Sequence, residues 1–160
     1  MPHKYNEKMF DIKHLRETAE KLKNWGRWGP DDEIGTLNFI TPDKVIDASK
    51  LIKRGIRFSL GLNFDRHGPQ KGTWGNRFNP IHLMLATGTD AVAGRFDEFG
   101  LRYADDMISL PLQCATQWDA LAHIFYDDYM WNGYDARLVD SDGAQKNGIE
   151  KVRAEMAGRG

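Results

Sequence analysis

The apolar positions of this chain change period along its length, and each change predicts an element. Over residues 11–24, Ile12, Leu15, Ala19 and Leu22 recur at helical spacing with charges between them, which predicts an amphipathic helix. A second helix is predicted from Thr41. Thr41 suits the N-cap, Pro42 the first helical position, and Asp43 the positive end of the helix dipole. Val45, Ala48 and Ile52 form its apolar face, and Lys53-Arg54-Gly55 makes a fitting end. Residues 56–64 alternate at period two and predict a half-buried strand; residues 81–87 predict another. After a loop or hairpin, the apolar run Met107-Ile-Ser-Leu-Pro-Leu112 leads into Gln113. A last helix is predicted from near Asn147, with Asn147 and Glu150 as a capping box, Ile149, Val152 and Met156 on one face, and Gly158 as its stop.

Two Gly/Pro-rich loops separate these elements, residues 24–38 and 65–80. The first carries Trp25 and Trp28, whose exposure to water would be costly, so both are expected to pack. Residues 1–10 are expected to be flexible. No internal repeat or low-complexity segment interrupts the pattern.

Composition narrows the function classes. The chain has 160 residues, one domain's worth, with 41% hydrophobic and 28% charged residues, as in a soluble globular protein. Basic and acidic residues number 22 and 23, so no basic excess recommends nucleic acid or an anionic membrane as a partner. No apolar run approaches the ~18 residues a bilayer span requires. The N-terminus lacks the apolar core of a signal peptide. A single cysteine, Cys114, rules out an internal disulfide framework and suits the cytoplasm.

The chemistry concentrates in Gln113-Cys-Ala-Thr-Gln117-Trp-Asp119-Ala-Leu-Ala-His123. Asp119 is a hard oxygen ligand for zinc, manganese or magnesium. His123 can bind a metal or move a proton near neutral pH. If residues 119–123 form a helical turn, the two share a face. Gln113 and Gln117 offer neutral amide oxygens, weak donors for zinc, so this set alone would hold a metal loosely. In an arbitrary chain, an Asp-x-x-x-His is more often a cap plus a structural histidine, and lone glutamines are more often hydrogen-bonding residues. Cys114 reads as a small buried thiol, and Trp118 as a packed side chain or a pocket wall. His82 reads as a satisfied strand residue, His67 as a loop residue able to approach a site, and His3 and His14 as surface groups. Asp31-Asp32-Glu33 and Asp105-Asp106 read as solvated turns. No phosphate-cradling glycine loop occurs.

These residues resemble the signature of the cyclase family of metal-dependent hydrolases, which includes kynurenine formamidase and isatin hydrolase and has the pattern H-x-G-T-H-x-D-x-x-x-H. Thr116, Asp119 and His123 match; Gln113 and Gln117 stand at the two leading histidines, and Ala115 at the glycine. A glutamine-bearing branch, including a zinc-dependent trans-dienelactone hydrolase, is similar also around Asn24–Asn38 and Asn79-Pro-Ile-His82, so the likeness spans most of residues 24–160. It implies an α/β fold, a mixed sheet flanked by helices of the swivelling β/β/α kind. It implies Gln113, Gln117 and Asp119 at the metal, with zinc as the ion and manganese as the alternative. It implies His123 as the proton-transfer residue. Trp118, Trp25 and Trp28 become candidates for an aromatic substrate wall, and a homo-oligomer is implied as well. The family's C-terminal half brings further His and Glu ligands, so residues 1–160 are expected to be the N-terminal part of one such domain.

The expected function is metal-assisted hydrolysis of a small cyclic or aromatic amide, lactone or ester, by polarising a carbonyl and activating water. The alternative is a catalytically inactive fragment that serves as a structural or partner-binding piece. A cofactor-free lyase or isomerase using Asp119 and His123 as a base pair is a third reading.

Overall fold

A computed structural model describes residues 11–95 and 97–157. The expected flexibility of residues 1–10, the surface role of His3 and the stop at Gly158 lie outside the described residues. The chain divides into two compact units. Unit 1 combines residues up to Arg54 with those from Ala120 onward, and unit 2 is Gly55–Asp119.

Unit 1 begins with α1, Ile12–Leu22, close to the predicted helix. Asp11 caps it, accepting from the Lys13 N–H at 3.2 Å. Its apolar residues Ile12, Leu15 and Leu22 stay exposed, and Arg16 makes an exposed ion pair with Asp127 at 2.9 Å. α2, Pro42–Ser49, starts where the sequence predicts, with Pro42 in its first turn, but ends before Ile52. Thr41 stands at the N-cap with extended backbone and no side-chain capping bond. A two-residue turn joins the short strands β3, Val139–Asp140, and β4, Gly143–Ala144, which pair antiparallel. Asp142-Gly143 supplies the turn chemistry, with Gly143 at a φ of 117°.

The predicted last helix is instead a 3-10 turn, Ile149–Val152, and Gly148, not Asn147, is its N-cap. Asn147 cannot serve as the predicted capping residue because its backbone is left-handed, with φ at 60°, and the residue is buried. Asparagine is among the few side chains that tolerate that conformation.

Unit 2 is built on β1, Ile81–Ala86, and β2, Asp105–Ser109, paired antiparallel with Leu83 opposite Met107 and a bulge between Met84 and Ala86. A one-and-a-half-turn helix, α3 (Gly88–Val92), begins the connection between them. Thr87 and Asp90 form its capping box: Thr87 Oγ1 accepts from the Asp90 N–H at 3.1 Å, and Asp90 accepts from the Thr87 N–H at 2.9 Å. The predicted strand 56–64 does not form; the segment joins no ladder among the described residues. Period-two patterning supplies one face, but a strand also needs a neighbour to pair with its backbone. Only one bond ties this segment's backbone down among the described residues, from the Leu62 N–H to Thr116 Oγ1 at 3.0 Å. Among the described residues the sheets are two small antiparallel pairs set among helices, which agrees with the sequence reading at the level of a mixed helix-and-sheet fold. Among the described residues, no helix is long and apolar enough to cross a membrane.

Candidate functional site

The signature run crosses from unit 2 into unit 1, so its residues are described unit by unit. In unit 2, Pro111 follows β2 and blocks continuation of the ladder. The chain then turns at Leu112–Gln113. Cys114 is fully buried, in line with the small buried thiol expected, and anchors this turn. The Gln113 carbonyl accepts from Gln70 Nε2 at 2.7 Å. Gln70 is itself clamped by Asn79, whose Oδ1 takes the Gln70 N–H at 2.8 Å and whose Nδ2 donates to the Gln70 carbonyl at 3.1 Å. A Cβ on Gly68 would lie 2.7 Å from Asn79 Oδ1, so the bare backbone there makes room for the clamp. The Thr116 hydroxyl oxygen is engaged by Leu62. Gln117, Trp118 and Asp119 follow on an exposed stretch with no helix or strand, and Trp118 is 71% exposed. Trp118 is thus a surface residue within unit 2, not a packed one.

In unit 1, His123 closes a 3-10 turn, Leu121–His123, and its N–H donates to the Ala120 carbonyl at 3.0 Å. Ala120 is extended, with ψ at 151°, so residues 119–123 are not one helical turn and the predicted shared face does not arise from helix geometry. The turn is fixed from within. Ala122 is completely buried, and its N–H donates to the Asn147 carbonyl at 3.1 Å. Asn147 in turn donates its N–H to Glu33 at 2.8 Å and its Nδ2 to the Trp131 carbonyl at 2.8 Å.

Glu33 was read from the sequence as part of a solvated acidic turn; its side chain is only 12% exposed and anchors this network. Lys146 pairs with it at 3.0 Å. Burial works to raise the Glu33 carboxyl, but the Asn147 N–H, the Lys146 bond and the Lys146 and Lys151 charges together hold it below its ordinary value. Asp32 is likewise structural, accepting from the Gly35 N–H at 2.9 Å and Asn38 Nδ2 at 2.6 Å.

Trp25 and Trp28 do pack, as their cost in water requires. Trp28 meets Phe39 edge-on at 5.2 Å between centroids and Trp131 at 6.3 Å, while Arg27 lies 5.3 Å over the Trp28 ring. The Trp25 ring lies against Gly133. Gly35, at a φ of 58°, lets Trp131 and Leu121 close over it; a Cβ there would lie 3.4 Å from the indole. The histidine turn and the tryptophan cluster therefore belong to one packed network.

The sequence reading overlooked Asn132, which ties the tryptophan loop together. Its Oδ1 takes the Gly26 N–H at 2.6 Å, and its Nδ2 donates to the carbonyls of Gly29 at 3.1 Å and Asp32 at 3.0 Å. The available signal was the Asn132-Gly133 pair, a marker of left-handed backbone; Asn132 has φ at 65°.

Of the other histidines, His82 fits its reading as a satisfied strand residue, with Nε2 2.6 Å from Asp106. The His67 N–H donates to Asp65 Oδ1 at 2.7 Å. A cleft of about 340 Å³ in unit 2 is lined by Phe64, Asp65, Arg66, Ile81 and His82, none of them in the signature run.

Among the described residues, no three His, Cys, Asp or Glu side chains gather into a cation-sized cluster. The candidate set Gln113, Gln117 and Asp119 is all-oxygen and carries a single charge. It suits a divalent ion in donor type and falls short of zinc's usual set of four His, Cys or carboxylate ligands.

No family model and no curated protein matches the chain. A solved structure described as the crystal structure of a novel cyclase aligns with it at a TM-score of 0.78 and 41% identity. The chain resembles a cyclase. The alignment covers 85% of this chain and 46% of that one, so the chain spans about half the length of its cyclase neighbour. The likeness supports a cyclase-like family, the coarser part of what the signature implies. The likeness extends to the fold, which in this chain is a mixture of helices and small sheets.

Proposed function

We propose that the chain is part of a cyclase-family enzyme, a metal-dependent hydrolase acting on a small cyclic or aromatic amide, lactone or ester. The observation that carries this reading is the cyclase neighbour, 41% identical over 85% of the chain. The signature residues Thr116, Asp119 and His123 agree with it. Kynurenine formamidase and trans-dienelactone hydrolase are the models for the substrate class, by resemblance of residues 113–123.

Asp119 holds the metal through its carboxylate, and Gln113 and Gln117 add amide oxygens; zinc is the proposed ion and manganese the alternative. When bound, the ion supplies Lewis-acid polarisation of the scissile carbonyl. His123, exposed on a turn pinned from behind by Ala122, moves the proton between water and the leaving group. Trp25, Trp28 and Trp118 are the proposed substrate-binding residues, and Asn132 holds the loop that carries the first two. The proposed setting is cytoplasmic.

A second reading, an inactive structural or partner-binding piece, is favoured by one observation: unit 2 buries little apolar surface of its own, with Phe58, Leu60, Leu62, Leu83 and Leu112 all exposed. A substrate panel separates the two. Hydrolysis of an aromatic amide, lactone or ester that stops with a chelator and returns with zinc is expected; no hydrolysis across the panel would favour the second reading, and chelator-resistant turnover a metal-free base pair.

A further inference from the structure

Two distant stretches of unit 1 meet behind the histidine turn: the loop 32–35 and residues 146–147. Glu33 joins them. Its side chain is largely buried and makes three contacts. Oε2 accepts the Asn147 N–H at 2.8 Å and lies 3.8 Å from Lys151 Nζ, while Oε1 accepts from Lys146 Nζ at 3.0 Å. Asn147 is buried and left-handed, at a φ of 60°. A side-chain-bearing residue stays in that region only where its surroundings over-determine it. Here they do so through the Glu33 carboxylate on its N–H and the Trp131 carbonyl on its Nδ2, each at 2.8 Å. Held on both sides, the Asn147 carbonyl accepts the Ala122 N–H at 3.1 Å. Ala122 is completely buried, so water offers that N–H no replacement partner. His123 is the next residue and closes the turn.

A second contact runs beside this one. Gly35, two residues after Glu33, packs against the same turn: a Cβ there would lie 3.6 Å from Leu121 Cδ1 and 3.4 Å from the Trp131 ring. The loop that carries Glu33 thus reaches the turn by a hydrogen-bond path and by an apolar one. Only the first passes through a single polar side chain, so only the first can be cut without repacking the interior.

We propose that Glu33 is a positioning residue for His123: through the Asn147 backbone it fixes the turn that presents the imidazole. The role rests on His123 being the proton-transfer residue of the proposed hydrolase. Glu33 acts at one remove from the reaction, where a misplacement of about 1 Å in a reacting group can cost on the order of 100-fold in rate.

Amide hydrogen exchange on the whole chain reads the turn without any substrate. The Gln145 N–H, bonded to the Leu138 carbonyl at 2.8 Å in the same unit, is the reference for general loosening. Glu33→Ala should speed exchange at Ala122 about ten-fold or more beyond any change at Gln145. Glu33→Gln keeps an oxygen for the Asn147 N–H and should hold Ala122 to within about three-fold of the native rate. If alanine prevents folding, Glu33→Asp replaces it: the charge beside Lys146 and Lys151 stays, the shorter side chain falls short of Asn147, and Ala122 should again loosen ahead of Gln145. In the active hydrolase, Glu33→Ala should lower kcat about ten-fold with KM nearly unchanged, and the same change added to His123→Ala should cost nothing further. Equal acceleration at Ala122 and Gln145, or none at Ala122, overturns the proposal. So does a double variant in which the two losses multiply. Near-normal turnover in His123→Ala overturns the catalytic reading alone, and the exchange pattern then decides whether Glu33 fixes the turn.

Discussion

In the complete hydrolase proposed above, with His123 as its proton-transfer residue, alanine at His123 is expected to lower turnover at least ~100-fold, the usual scale for losing a general acid–base group. The substitution is informative because it leaves the backbone of the turn unchanged. The turn that carries it is held by backbone: Ala122 is buried and bonds to the Asn147 carbonyl, and the His123 N–H bonds to Ala120. Alanine preserves each of these bonds. The loss should fall on kcat with KM nearly unchanged, because proton transfer belongs to the transition state more than to binding. Near-normal turnover in a folded variant would remove His123 from the mechanism.

Asn132→Ala is expected to destabilise unit 1 by about 3 kcal/mol in urea unfolding. Its amide links Gly26, Gly29 and Asp32, and each such bond is worth about 0.5–1.5 kcal/mol net. Alanine at a φ of 65° adds left-handed strain of about 1 kcal/mol. Asn132→Gly separates the two contributions: it accepts the backbone conformation but loses the clamp, so it should recover about 1 kcal/mol relative to alanine. If alanine costs less than about 1 kcal/mol, the loop that seats Trp25 and Trp28 is held by its aromatic packing instead. The same variant should loosen the proposed aromatic wall, raising KM more than it lowers kcat.

How much of this was legible before the structure depends on what each element draws on. α1 and β1 came through because both are local: a 3.6-residue apolar repeat and a short β-rich run bounded by turn residues. The packing of Trp25 and Trp28 followed from the cost of leaving indole in water. Residues 56–64 misled because alternation reports a face, whereas a ladder needs a neighbouring backbone that no local pattern encodes. The end of the chain misled for a different reason. Asn147 and Glu150 have capping-box spacing, yet Asn147 takes a left-handed backbone and is held by Glu33, a residue distant in sequence. Glu33 shows the same gap from the other side. An acidic cluster reads as solvated until a lysine and a backbone N–H from the other end of the unit close on it. The run 113–123 named the candidate residues, while the supports of the turn that carries His123 were not legible, since they are the Ala122 N–H, the Asn147 carbonyl and the Asn147 amide bonded to the Trp131 carbonyl, all set by tertiary packing.

The central claim is that Gln113, Gln117 and Asp119 share one cation. Zinc binding to the purified protein, measured by calorimetry beside Asp119→Ala, Gln113→Ala and Gln117→Ala, tests it without reference to any substrate. The account predicts about one equivalent bound, abolished by Asp119→Ala because that carboxylate is the only charge in the set, and weakened about ten-fold or more by each glutamine variant. Binding that survives Asp119→Ala, or no binding at any zinc concentration, would contradict it.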